Sequence, residues 1–412
     1  MTFAIERIPA FRRIRTHPFN ALAIAVALGG CSGRIEPALT EVVDSAGVRI
    51  VAQVINEPAR SCSLSASPRF SAGEGNAMRS ELIGVTDALQ LDDRRVAIAA
   101  RGTAEVRLYD SSGKFLGAFG RQGDGPGEFH NVSRIWPLSR DTIAVADYRP
   151  WRLQVFTTDG QFHRAIVPEP RDVRTPRVAE VLRQGLLIRG YPCCLLREPG
   201  FHEQHLPLTR HDATGAFIDT LGQFPFGEWG QLETGVQQNS WVLPLFESLT
   251  SVTAFDRTIV VGVQSRDELL YFGHDGRLRQ IVRWRLPGGA SARAVEERDI
   301  DAYRRSRIAA VRPGNQWAIE EDISPARPVR RQFPAFTGLW ASEDGAVWVQ
   351  LYRRPARPDS VRYLHFDAGG RFSCVLELSA ARTLLRAADG HIILHETSEE
   401  GTERVTIYDV AK

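Results

Sequence analysis

"SELIGVTDALQLDDRRVAIAARGTAEVRLYDSSGKF" (residues 80–115) and "GEFHNVSRIWPLSRDTIAVADYRPWRLQVFTTDGQF" (residues 127–162) read as two copies of one unit. They align without a gap at a constant offset of 47. Leu82 falls on Phe129, Val85 on Val132, Ile98 on Val145, Gly113 on Gly160 and Phe115 on Phe162. Register kept over thirty-six residues, at apolar and turn positions alike, marks a structural repeat. Each copy divides into short strands. An apolar run ("VAIAA", "IAVAD") follows a polar turn, then comes an alternating strand ("EVRLYD", "RLQVFT"), an Asp/Gly turn and a last strand. Alternation at period two between Asp, Gly and Ser clusters is the signature of antiparallel hairpins.

Weaker copies run to the end of the chain. A third unit holds "QGLLIRGY" (184–191) and "LTRHDATGAFIDTLG" (208–222), and a fourth "DRTIVVGV" (256–263), "ELLYFGHDG" (268–276) and "RLRQIVRW" (277–284). A fifth holds "GLWASEDGAVWVQLY" (338–352), "VRYLHFDAGG" (361–370) and "RFSCVLEL" (371–378). The sixth, "TLLRAADGHIILHE" (383–396) with "RVTIYD" (404–409), stops before its last strand. Short four-stranded sheets repeated in this way bury their faces by stacking radially, which predicts an all-β, six-bladed β-propeller with one helical insertion. Insertions in units three to five leave seven blades as the alternative. The truncated last unit needs a strand from the start of the chain to close the ring, either "GVRIVAQV" (47–54) or "SLSASPRFSA" (63–72).

The glycine-rich "GRQGDGPGEF" (120–129) lies between the first two units. A phosphate loop needs Gly-Lys-Ser/Thr after its second glycine, and an EF-hand needs alternating carboxylates with a closing Glu. Neither is present. The stretch reads as a seam on which the chain crosses from one blade's rim to the next blade's centre, with Phe129 and Leu82 plugging the gaps between blades. "GQFPFGEW" (222–229) reads as a shorter seam of the same kind, and "AGEGNAMRSEL" (72–82) as the seam before the first unit.

The first thirty residues read as an export signal. Four arginines against Glu6 precede a short apolar run, 21–28, and then "LGGC" (28–31). The run suits a signal-peptide core and falls far short of the ~20 residues that span a bilayer. "LGGC" resembles the lipobox of bacterial lipoproteins, which implies acylation of Cys31 and attachment to a bacterial membrane through it. An ordinary signal cleaved by another peptidase is the other reading. The organisation expected is a signal at 1–30, a tether at 31–46 and one propeller at 47–412, with insertions at about 190–207 and 287–333. The whole chain carries a net charge of +2, so the part after residue 30 sums to about −1. Arginines and acids are interspersed there, which argues against a nucleic-acid partner.

"FGRQGDGPGEFHNVSRI…DTIAVADYRPWRLQVFTTDGQF" resembles an NHL repeat, and the chain as a whole is similar to the six-bladed propeller lipoproteins of the NHL and TolB-like group. That resemblance implies a fold and a location at the periplasmic or outer face of a bacterial envelope. It implies no single reaction. Some six-bladed propellers are lactonases, phosphotriesterases or amidating lyases holding a metal at the channel mouth. For such a site this chain offers Asp87, His130, Asn131 and Asp147, residue types suited to calcium or another divalent ion. Asp147 aligns with Ala100 and Asn131 with Gly84, so the set does not repeat, and polar residues rimming a wet channel are the competing reading.

"YPCCLLREPGFHEQH" (191–205) brings Cys193, Cys194, His202 and His205 together as candidate zinc or copper ligands. Adjacent cysteines rarely share one ion, and two residues between the histidines exclude a His-Glu-x-x-His protease motif. A disulfide or buried thiols beside solvated histidines is the plainer reading. Without Cys31, four cysteines remain and allow three pairings. If either early segment closes the ring, Cys62 comes within reach of Cys374; otherwise both are small buried apolar residues. A helix is expected over 291–311, capped by Ser291, with Ile300, Tyr303 and Val311 on one face. It would cover a blade edge or channel mouth, or dock a partner. The function expected is a binding or interaction module, with no cofactor, that takes a protein or small-molecule ligand on a propeller face. A metal-dependent hydrolase or lyase is the alternative.

Overall fold

The computed structural model describes residues 39–412 apart from 57–58, 74–80, 149–150, 170–175, 183–184, 191–199, 233–239, 311–321 and 358. Cys31, Cys193 and Cys194 lie outside the described residues. Six antiparallel sheets follow one another along the chain: blade 1 over 85–119, blade 2 over 132–166, blade 3 over 177–242, blade 4 over 250–285, blade 5 over 336–379 and blade 6 over 382–411. Their first strands adjoin in that order, and the first strand of blade 6 returns to that of blade 1. The ring is closed, and the protein is a six-bladed β-propeller.

The repeat seen in the sequence works through two devices. The first is the turn between the third and fourth strands. In blades 1 and 3, Asp110 and Asp212 each accept hydrogen bonds on Oδ1 from the backbone amides two and four residues on, at 2.8 to 3.0 Å. The following glycines, Gly113 and Gly215, sit at φ +88° and +92°, a region open chiefly to glycine. At Gly113 there is a further reason: a Cβ would lie 1.9 Å from the Ser71 carbonyl of the strand that closes the ring. The second device is the plug. Phe129 is fully buried among Leu89, Val106, Ile135 and Phe156 of blades 1 and 2. Leu82 does the same between blades 6 and 1 with Phe70, Val405 and Ile407. Removing each such side chain from water contributes about 2–3 kcal/mol.

Closure comes from the second of the two candidate segments. Phe70–Ala72 pairs antiparallel with residues 405–407 of blade 6, and Ser63–Leu64 pairs with 410–411. The segment 47–54 goes elsewhere. Val48–Val54 lies parallel on Leu278–Arg285, the outer strand of blade 4, and Leu39–Ser45 folds back on it to make a six-stranded sheet. Its buried residues explain the choice. Val51 enters the core between blades 4 and 5, and the Gln53 side chain donates to Gly370 O (2.9 Å) and accepts from Phe372 N (2.7 Å) in a blade 5 turn. Residues 60–62 then run along blade 5, bonded to Val375, before reaching blade 6. Residues 48–56 and 59–72 thus form a belt around the rims of blades 4, 5 and 6. A disulfide between Cys62 and Cys374, with Cα atoms 5.4 Å apart, fastens it to blade 5.

Two expectations need correction. Residues 222–229 are not a seam: they lie within Phe217–Leu232, which pairs along its length with Phe201–Asp212 as an extended hairpin. Its bulges absorb the glycine and proline that suggested a loop. The helix begins later than expected. Gly289–Arg293 winds as a short 3-10 turn, and the α-helix α1 covers Glu297–Ala309. Glu296 and Asp299 cap it reciprocally, satisfying two amides where Ser291 would satisfy one. Ile300 and Tyr303 pack on a small core with Leu245, Phe246 and Phe333, while Val311 lies outside the described residues.

Candidate functional site

A bulge re-aims the chain in the innermost strands of blades 1, 2, 3 and 6. The residues beside or just after it are Asp87, Arg134, Glu180 and Arg386, and all four turn to the propeller axis. Arg386 donates to Asp87 Oδ2 (2.8 Å), Ala88 O (3.0 Å) and Ile135 O (2.5 Å), so one side chain of blade 6 holds blades 1 and 2. Asp87 Oδ2 also accepts from Ile135 N at 3.0 Å, and Oδ1 from Ala88 N at 2.9 Å. Arg134 donates to Glu180 Oε1 (3.0 Å) and Ala179 O (3.1 Å) of blade 3, and its guanidinium lies 4.8 Å over Trp136. Glu180 completes its bonding with Trp136 Nε1 at 2.6 Å. The neighbouring carboxylates hold the Arg134 guanidinium above its usual pKa against the desolvation that opposes its charge.

On the other side of the axis the links are uncharged. Ala341 N donates to Thr253 Oγ1 (3.1 Å), Gln264 Nε2 to Thr337 O (3.1 Å), and Trp340 Nε1 to Leu385 O (3.0 Å). At the bulge of blade 5 the residue is Gly338, where the Trp340 ring leaves no room for a side chain.

The metal candidates from the sequence do not converge. Asp87 belongs to the axial network. Asp147, fully buried, accepts from the backbone amides of His130 (3.2 Å) and Asn131 (2.9 Å) and lies 3.7 Å from Arg152. His130 points into the seam, with Nδ1 2.8 Å from Gln122 and Nε2 2.8 Å from Asp124. His130 therefore braces the "GRQGDGPGEF" loop, and Asp147 holds the two residues that follow it. His202 and His205 stand opposite Trp229 and Pro225 on the long hairpin, three residues apart on one strand and so on opposite faces. Among the described residues no group of three or more His, Cys, Asp or Glu is placed to hold an ion.

The two faces of the ring differ. On one, the turns within each blade are tight. The other carries the seams and the second-to-third-strand loops, and over blades 3 to 5 it is built up. There the hairpin 201–232 outruns its blade, and the insertion after blade 4 carries α1. Ion pairs pin this wall: Arg330 with Glu247 (2.6 Å) and Glu228 (2.9 Å), Arg354 with the buried Asp299 (2.6 Å), and Arg293 with Asp267 (2.9 Å). Inside it, Phe246 sits at φ +62°, a strained conformation for a bulky residue, held by the rings of Phe333 and Tyr303.

Sequence reasoning missed Arg134, Glu180 and Arg386. One signal was available: Asp87 and Arg134 occupy the same position in the two copies, an inversion of charge on the inner strand at a site where Asp87 is buried.

No family model and no curated protein matches the sequence. Solved structures do resemble it in shape. A member of the DUF4221 family from Bacteroides vulgatus superposes with a TM-score of 0.51 at 10% identity, covering 86% of this chain and 99% of that one. A protein described as exported, from Bacteroides fragilis, gives 0.48 at 11%, covering 88% and 99%. A streptogramin B lyase gives 0.35 at 11%, covering 85% and 88%, too distant to carry an argument. The first of these shows the fold alone. Among the described residues no helix is long and apolar enough to cross a membrane.

Proposed function

We propose that the protein is an exported propeller, lipid-anchored to a bacterial envelope membrane through Cys31, that works as a binding module. Its binding surface is the seam face, where blades 3 to 5 raise a wall. The observation that carries this reading is the asymmetry of the two faces. Two separate insertions, far apart in sequence, rise from the same end of neighbouring blades and are braced there by ion pairs and a small core of their own. Rigid relief of this kind is what a binding surface requires. The NHL and TolB-like resemblance of the first two blades supports the same envelope setting. A lactonase-like metal site is the weaker reading, because Asp87, Glu180 and Asp147 already spend their oxygens on arginine, indole and backbone donors.

Site-specific photo-crosslinking in intact cells tests the face. A probe at Ile308, exposed on α1, is expected to give a discrete adduct, and one at Ser112, on the tight-turn face, none. Adducts from Ser112 alone would reverse the assignment. In the same strains palmitate label should follow the protein and vanish in Cys31→Ser.

A further inference from the structure

The strand Leu39–Ser45 is well formed yet buries little. Its turn suits the twist of a hairpin: Ala46 and Gly47, between the paired ends, sit at φ +53° and +78°. Asp44 holds that turn by accepting from Gly47 N at 3.2 Å. The strand keeps unbroken register with Val48–Val54 along its whole length. Every side chain from Thr40 to Ser45 is nonetheless exposed. Val42 and Val43, on opposite faces, are each 44% exposed. The strand is the outer edge of the blade 4 sheet, and no other described strand lies on its outward side.

The other rim edges carry devices that stop strands from docking on them. The outer strands of blades 1 and 2, Phe115–Phe119 and Phe162–Ile166, are short, and each pairing breaks register at a bulge. That of blade 3 shifts register three times. The outer strand of blade 5 is bulged and overlaid by residues 60–62, and the strand closing blade 6, Phe70–Ala72, is very short. Leu39–Ser45 has no bulge, no proline and no lysine. An unguarded edge pairs best with another unguarded edge, and among the described residues its match is its own copy in a second molecule. Antiparallel self-pairing over the full strand puts the middle residue, Val42, on a two-fold axis. Glu41 then stands opposite Val43, and Asp44 opposite Thr40. A slip of one residue would set Glu41 against Asp44, which like charge disfavours. In the unslipped register Val42 and its copy extend the sheet face of Val51, directly beside Val42 and buried between blades 4 and 5.

We propose that Leu39–Ser45 is a dimerisation strand: two copies of this chain pair antiparallel along it, with Val42 on the two-fold axis, so that their blade 4 sheets run into one. At ~3.4 Å per residue and a sheet spacing of about 10 Å, the strand offers roughly 240 Å² per partner, below the ~800 Å² of a standard interface, so the dimer is weak and reversible. The contact does not depend on what the seam face binds.

The test uses the full chain in detergent. Sedimentation velocity over a dilution series should show a monomer–dimer equilibrium in the wild type. Val42→Lys sets two lysines face to face on the axis and should weaken the dimer about tenfold or more, as should Val42→Glu. An equimolar mixture of the two variants should recover it as a heterodimer, which a folding defect could not produce. In membranes, Val42→Cys should give a disulfide-linked dimer above the wild-type background, because opposed Cβ atoms on the axis come within about 4.5–5.5 Å. Ile218→Cys, 54% exposed on the bulged outer strand of blade 3, should not. A wild type that stays monomeric at every dilution, a dimer indifferent to Val42→Lys, or equal linkage from Ile218→Cys overturns the proposal. Adducts from Ile308 read the seam face separately and are expected whichever way the dimer is decided.

Discussion

At the axis, blades 6, 1 and 2 are joined by charge: Arg386 reaches Asp87, 299 residues away, where the carboxylate side chain is 4% exposed. On the rim, blades 4, 5 and 6 are strapped by residues 48–56 and 59–72 through backbone hydrogen bonds, apolar side chains and one disulfide. The comparison shows where each kind of force is usable. The centre is crowded by six inner strands, and a long arginine fork spans three of them with directed bonds. The rim offers an unpaired strand edge, which only another strand satisfies.

The axis is the more brittle of the two. Arg386→Ala leaves Asp87 buried with backbone donors alone and should lose about 3–5 kcal/mol in urea unfolding, whereas Asp87→Ala with Arg386→Ala should recover part of that loss. A loss below about 1 kcal/mol would mean that charge does not hold the centre. The rim should yield less. Cys62→Ser with Cys374→Ser is expected to cost about 2–4 kcal/mol, and reductant should lower the wild type by a similar amount while leaving the double variant unmoved. A double variant as stable as the oxidised wild type would assign the belt's grip to its strands.

The smallest effect sharpens the boundary between the regions. His365, 1% exposed, faces Cys374 across its strand pair, lies 4.6 Å from the Trp348 ring, and has no hydrogen-bond partner at Nδ1. Burial, helped by the charge of Lys412, pushes its pKa down to about 4. The folded state therefore resists a proton that the unfolded chain accepts. Stability from this group is present above the ordinary value of about 6.5 and is lost as the pH falls toward 4, by at most about 3 kcal/mol. His365→Phe should flatten the unfolding curve across that window. A slope unchanged by the substitution would place the acid sensitivity elsewhere.

How much of this was legible varies by residue. Gly113 and Gly160, Phe129 and Leu82 announced turns and plugs because each repeats at a fixed spacing and acts within one blade or one seam. The closing segment was narrowed to two, and only packing separated them: Val51 and Gln53 suit the cleft between blades 4 and 5, while Phe70 suits the one between blades 6 and 1. Asp147 and His130 looked like ligands, since a carboxylate bracing a loop has the same composition as one awaiting an ion. The axial set was hidden because its members do not repeat and its pairs are 46, 48 and 299 residues apart.

The sequence alone determined the unit: strand length, turn chemistry and a period that buries apolar faces only by stacking near-copies in a ring. Those are local consequences of alternation and backbone freedom, and they survive without knowledge of neighbours. The tertiary structure decided which early strand closes the ring, which charges meet at its axis, and which face rises into a wall. Each of those depends on groups distant along the chain being brought within a few ångströms, where desolvation and directed hydrogen bonds select one partner.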